Sequence, residues 1–157
     1  MRLNRDWIES NIPHSGRMCL LDEVLDWEND RIRCASGGHR AADHPLRAHG
    51  RLGIACGIEI AAQTMAVHGA LSAGDSSSRP RAGLLAGVRS VHMYAARLDE
   101  TQTDVICQAT RVAGDEGTAL YEFELSSAGS TLMRGRATVV LDTADPRARA
   151  ADMSAPR

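Results

Sequence analysis

The stretch that decides the reading is "HPLRAHGRLGIACGIEIAAQTMAVHG", His44 to Gly69. It opens as polar, basic chain with Gly and Pro, then turns apolar and small. Ile54, Ala55, Ile58, Ala61, Ala62, Met65 and Ala66 recur at spacings of three and four, which predicts a helix over 53–72. Cys56, Ile60 and Val67 carry the apolar surface almost all round the cylinder. A helix of that kind belongs in a core. Glu59 and Gln63 lie four apart and share one face. A lone buried carboxylate is costly unless paired, hydrogen-bonded or protonated. Glu59 therefore either reaches solvent through a gap or is a desolvated acid that donates a proton near neutral pH. The second reading needs a base, and the preceding loop offers His39, His44 and His49.

Upstream of the helix, Arg5–Ser10 reads as a short helix and 12–16 as a turn, in which His14 is a structural turn residue. The segment 18–28 reads as a strand. Asn29-Asp30 supplies turn chemistry, and 31–37 alternates polar and apolar, so the two make a hairpin. Downstream, 74–81 is a loop, and four β-rich segments follow: 82–98, 102–112, 119–128 and 130–141. The tail 142–157 lacks the apolar residues to fold and is expected to be disordered. The chain is thus one domain, 1–141, of α+β class: two strands, one long helix, four strands. A single helix makes no bundle, but a curved antiparallel sheet of about six strands wraps it. Long edge strands must be paired or blunted, so a dimer is expected.

The 157 residues carry a formal charge of −2, which argues against non-specific nucleic-acid binding. No membrane span and no secretory leader are expected. Cys19, Cys34, Cys56 and Cys107 form no CxxC pair and read as free thiols of a reducing cytoplasm; no metal site is expected.

Glu59-Ile60-Ala61-Ala62-Gln63 resembles the Glu-x-x-Ala-Gln of the hot-dog-fold 3-hydroxyacyl-[acyl-carrier-protein] dehydratases. "IPHSGRMCLLDEVLDW" (12–27) is similar to that family's Pro-His-x-x-x-x-Leu-Leu-x-Asp, with Pro13, His14, Leu20, Leu21 and Asp22 in place to within the register of the gap. Pro45-Leu46-Arg47, Gly50-Arg51-Leu52 and Gly57-Ile58-Glu59 look like a dehydratase-like subgroup associated with aryl-polyene and related lipid biosynthesis. The resemblance covers roughly residues 10–141.

It implies a hot-dog fold and dehydration of a 3-hydroxyacyl thioester to the trans-2-enoyl thioester. Glu59 matches the acid, Gln63 its supporting amide and His44 the base, with one extra loop residue; His39 and then His49 are the alternative bases. The family's Pro-Gly before the helix is replaced by Leu52-Gly53, and N–H groups around Gly53 could hold the thioester oxygen. No cofactor is implied. The implied partners are an acidic acyl carrier protein, met by a rim of Arg47, Arg51, Arg79 and Arg81, and a second copy of the chain, giving a homodimer or higher oligomer whose neighbour brings the imidazole to Glu59 in a narrow tunnel. Two other readings stay open: a thioesterase of the same fold, and a silent acyl-binding or partner subunit.

Overall fold

A computed structural model describes residues 3–74 and 83–141. Helix α1 (Arg5–Asn11) starts where the Asn4 side chain accepts the Trp7 N–H at 3.2 Å. Strands β1 (Glu23–Trp27) and β2 (Arg31–Ser36) form the early hairpin about Asn29-Asp30. A 3-10 turn, Ile54–Cys56, leads into α2 (Gly57–Ala73), which stops at Gly74 with φ +64°. Then come β3 (Gly83–Met93), β4 (Val105–Gly114), β5 (Thr118–Ser127) and β6 (Ser130–Leu141). Asp115 closes the β4–β5 turn by accepting the Gly117 and Thr118 N–H groups at 2.8 and 2.9 Å. The β5–β6 turn is the two-residue loop Ala128-Gly129, both at positive φ, which matches strand twist.

All six strands join one antiparallel sheet in the order β1-β2-β4-β5-β6-β3. Its inner face closes on α2. Along β5, Ala119, Tyr121, Phe123 and Leu125 are buried and alternate with more exposed neighbours, the period of a half-buried strand. Helix and sheet meet closely at Gly57, where a Cβ would lie 2.6 Å from Met133 and 2.7 Å from Leu125. Leu52, Ile60, Val67, Leu98 and Met133 fill the space between.

The six strands and the single long helix follow the sequence expectation; two boundaries differ most. The expected strand 18–28 shrinks to β1, because Gly16–Met18 is a 3-10 turn and the Leu20 backbone bonds the Gln63 and Ser36 side chains rather than a strand ladder. The expected strand 82–98 ends at Met93, and the chain then turns so that Arg97 bridges Gly53. Ile54–Ala73 is in fact long and apolar enough to cross a membrane by length and composition; here half of it is buried inside the protein, as a core helix. The expected tail, 142–157, and most of the loop 74–81 lie outside the described residues.

β3 is an edge strand whose 11 residues are exposed almost throughout. Leu85, Val88 and Met93 pair with the inward-facing Val139, Ala137 and Met133 of β6, so they belong to the inner face, yet they stay 39%, 36% and 46% exposed.

Candidate active site

Gln63 is fully buried on α2 and makes three hydrogen bonds. Its Oε1 accepts the Leu20 N–H at 2.8 Å, and its Nε2 donates to the Met18 carbonyl at 2.8 Å and to Glu59 Oε1 at 3.0 Å. The segment 18–20 is thereby stitched along the helix, and the chain just before it brings His14 over Glu59. His14 Nε2 lies 3.0 Å from Glu59 Oε1. The two side chains are 31% and 33% exposed. Both neighbours of Glu59 meet the same oxygen, Oε1. His14 Nδ1 is buried without a partner, so Nε2 is the ring nitrogen that meets the carboxylate.

Within the chain, the imidazole beside Glu59 is that of His14, and His44 and His39 are held elsewhere in their own loop. His44 accepts the Leu46 N–H on Nδ1 at 3.1 Å, which orients its ring within its own loop. Burial, with Arg47 nearby, pushes that imidazole below its ordinary range, so His44 is neutral at pH 7. His39 is buried, with Nε2 2.8 Å from the Thr101 carbonyl, where it ties the 38–40 turn to the loop before β4. His49 is exposed at φ +53° in a tight turn with Gly50.

The rim also changes. Arg47 Nη1 donates to the Gly50 carbonyl at 2.9 Å and lies 3.6 Å from Asp99, with its side chain 17% exposed, so its charge is spent inside the protein. Arg51 is exposed. Arg79 and Arg81 lie outside the described residues.

At the head of the helix, the Leu52 N–H donates to Asp99 and the Ile54 N–H to the Ala96 carbonyl; the Gly53 N–H between them makes neither bond. Cavities of about 410 and 160 Å³ lie elsewhere, on the outer sheet face and beside Cys19, and neither is lined by His14 or Glu59. In the single chain the His14–Glu59 pair is about one-third exposed. Among the described residues no His, Cys, Asp or Glu cluster could hold a metal ion.

The ApeP dehydratase family model matches residues 7–150, almost the whole chain. The chain belongs to the ApeP-like dehydratase family. No curated protein matches the sequence. Among solved structures, this ApeP-like chain is similar to the dehydratase heterocomplex ApeI:P from Xenorhabdus doucetiae, at 21% identity and a TM-score of 0.80 over 94% of this chain and 97% of that one. It is also similar to a mutant of thioesterase PA1618 from Pseudomonas aeruginosa, with 14% identity and a TM-score of 0.63 over 88% and 93% of the two chains. Zebra fish thioesterase superfamily member 2 gives 15% identity and 0.60 over 88% and 95%. The fold is the hot-dog fold, shared by dehydratases and thioesterases, and the family places this ApeP-like protein with the dehydratases.

Sequence reasoning did not place His14 beside Glu59, because Pro13-His14 reads as turn chemistry. The usable signal was its place in the Pro-His-x-x-x-x-Leu-Leu-x-Asp pattern.

Proposed function

We propose that this protein removes water from a 3-hydroxyacyl thioester on an acyl carrier protein, giving the trans-2-enoyl thioester. The observation that carries the reading is the 3.0 Å contact between His14 Nε2 and Glu59 Oε1, with Gln63 holding the same oxygen. His14 Nε2 takes the α-proton. The developing enolate oxygen is met by the Gly53 N–H at the head of the helix, where the dipole favours negative charge. Glu59 gives its proton to the β-hydroxyl, the C–O bond breaks, and water leaves as the double bond forms. The imidazolium then returns a proton to Glu59 across the same contact, and the pair is reset.

An acid one-third exposed needs a cover before it works in a dry site. The free edge and uncovered apolar inner face of β3 support a dimer in which a second copy closes the site. The substrate carrier, acidic in character, would meet Arg51 at the rim, and the free thiols of Cys19, Cys34, Cys56 and Cys107 suit a reducing cytoplasm.

The test is turnover of a 3-hydroxyacyl carrier-protein thioester, followed by the loss of water in the mass of the acyl group. Glu59→Gln and His14→Ala are expected to lose activity by at least about a hundredfold, and His44→Ala to keep it. Full activity in His14→Ala with loss in His44→Ala returns the base to the loop. The likeness to thioesterases gives hydrolysis as the second reading, and thiol release with no enoyl product would establish it. Turnover only after mixing with a different dehydratase chain would make this protein a partner subunit.

A further inference from the structure

Asp99 lies in the irregular segment after β3, far from Glu59 in sequence, and its carboxylate is only 5% exposed. It is the hub of the loop that leads into α2. Its Oδ1 accepts the Leu52 N–H at 3.1 Å and Arg97 Nε at 3.0 Å; its Oδ2 meets Arg97 Nη2 at 2.5 Å and Arg47 Nη1 at 3.6 Å. The Arg97 guanidinium holds this carboxyl well below the usual carboxylate range, so the hub stays charged.

Around it the two segments are laced together. Leu98 N–H donates to the Leu52 carbonyl at 2.8 Å and Ile54 N–H to the Ala96 carbonyl at 3.0 Å, with Gly53 opposite Arg97. Arg47 extends the lacing by bonding the Gly50 carbonyl and closing the turn at His49-Gly50. In extended chain, successive N–H groups face opposite ways. Pinning Leu52 and Ile54 toward the 96–99 segment therefore turns the Gly53 N–H away from it.

We propose that Asp99 is a positioning residue for the dehydration: by clamping Leu52 and the two arginines it aims the Gly53 N–H at the thioester oxygen. The proposal rests on the reaction given above and deepens it. Gly53 permits a clean test. Its φ is −66°, the value proline fixes, and a Cβ there meets nothing within 4 Å. Gly53→Pro thus deletes one N–H at a φ that proline adopts.

The experiment is a double-mutant cycle on kcat with Asp99→Asn, Gly53→Pro and the pair, using the full chain and a 3-hydroxyacyl carrier-protein thioester, with folded fraction checked by circular dichroism. Gly53→Pro is expected to lower kcat on the order of a hundredfold. Asp99→Asn is expected to lower kcat by roughly tenfold or more with KM within about twofold, because a small misplacement of a reacting group is costly. In the Gly53→Pro background the same Asp99 change is expected to cost less than about twofold. Equal losses in both backgrounds, or a lowered thermal midpoint with unchanged kcat, overturn the positioning role and leave a structural clamp. Arg97→Gln loosens the same carboxylate from its other side and replaces Asp99→Asn should that variant not fold; an unchanged kcat there overturns the proposal too. Gly53→Pro turning over at the full rate overturns the proposal as well, because the N–H that Asp99 is said to aim is then not used. Loss of the reaction reading looks different: the wild type itself yields no enoyl product.

Discussion

Gln63 joins three parts of the molecule, and cutting it has a cost that the structure sets. Gln63→Leu keeps the volume and the apolar stem but removes every polar atom. It leaves the Leu20 N–H and the Met18 carbonyl unpartnered where Gln63 had held them at 2.8 Å each, and takes a donor from Glu59. A buried polar group left without a partner costs about 1–3 kcal/mol. The buried Leu20 N–H in full and the part-buried Met18 carbonyl in part, offset by the better burial of Leu, give a loss of about 2 kcal/mol. In a chain of this size that lowers Tm by roughly 4–8 °C. The assay is urea unfolding at several protein concentrations, so that a dimer's mass-action contribution is separated from the chain's own. Gln63→Glu sharpens the test, since it keeps an acceptor for Leu20 but turns an acceptor toward Met18 and Glu59. Its deficit relative to wild type should shrink on acidification, as protonation of the introduced carboxyl restores a donor. A loss below about 1 kcal/mol for Gln63→Leu refutes the claim that Gln63 stitches segment 18–20 to the helix.

Gly57→Ala forces a methyl against Met133 and Leu125 at 2.6 and 2.7 Å, and should destabilise by about 1–3 kcal/mol in the same urea titration. Burial pushes the His68 imidazole below its ordinary range, and His44 shifts the same way, so the unfolded chain binds protons more readily. Stability is therefore full above about pH 6.5 and is lost as the pH falls through the folded values; His68→Gln should shrink that loss in urea midpoints taken from pH 7.5 to 5. Tyr121→Phe removes the hydroxyl that lies 2.8 Å from His68 Nδ1 and should cost about 1 kcal/mol without changing the rate of water loss.

The helix was legible because Ile54, Ile58, Ala61 and Met65 repeat at its period, and β5 because Tyr121, Phe123 and Leu125 alternate. Glu59 and Gln63 were legible as chemistry because two polar residues on an apolar cylinder demand partners. The histidine was not. Which imidazole reaches Glu59 depends on how the chain around Gly16 folds back on α2, a tertiary contact made by Gln63 through backbone atoms that carry no residue signature. Arg47 likewise reads as a surface charge until Asp99, distant in the chain, is brought beneath it.

The strand order has one more consequence, for how the protein is made. β2 pairs with β4, and Cys34 meets Cys107 only after the whole helix and β3 have been synthesised. The greasy face of α2 thus leaves the ribosome well before the β4, β5 and β6 surfaces that shelter it. Such late, distant pairings fold slowly and leave sticky intermediates exposed. Yield during expression should accordingly respond to slower synthesis and to chaperone supply more than to any change in the finished protein's stability.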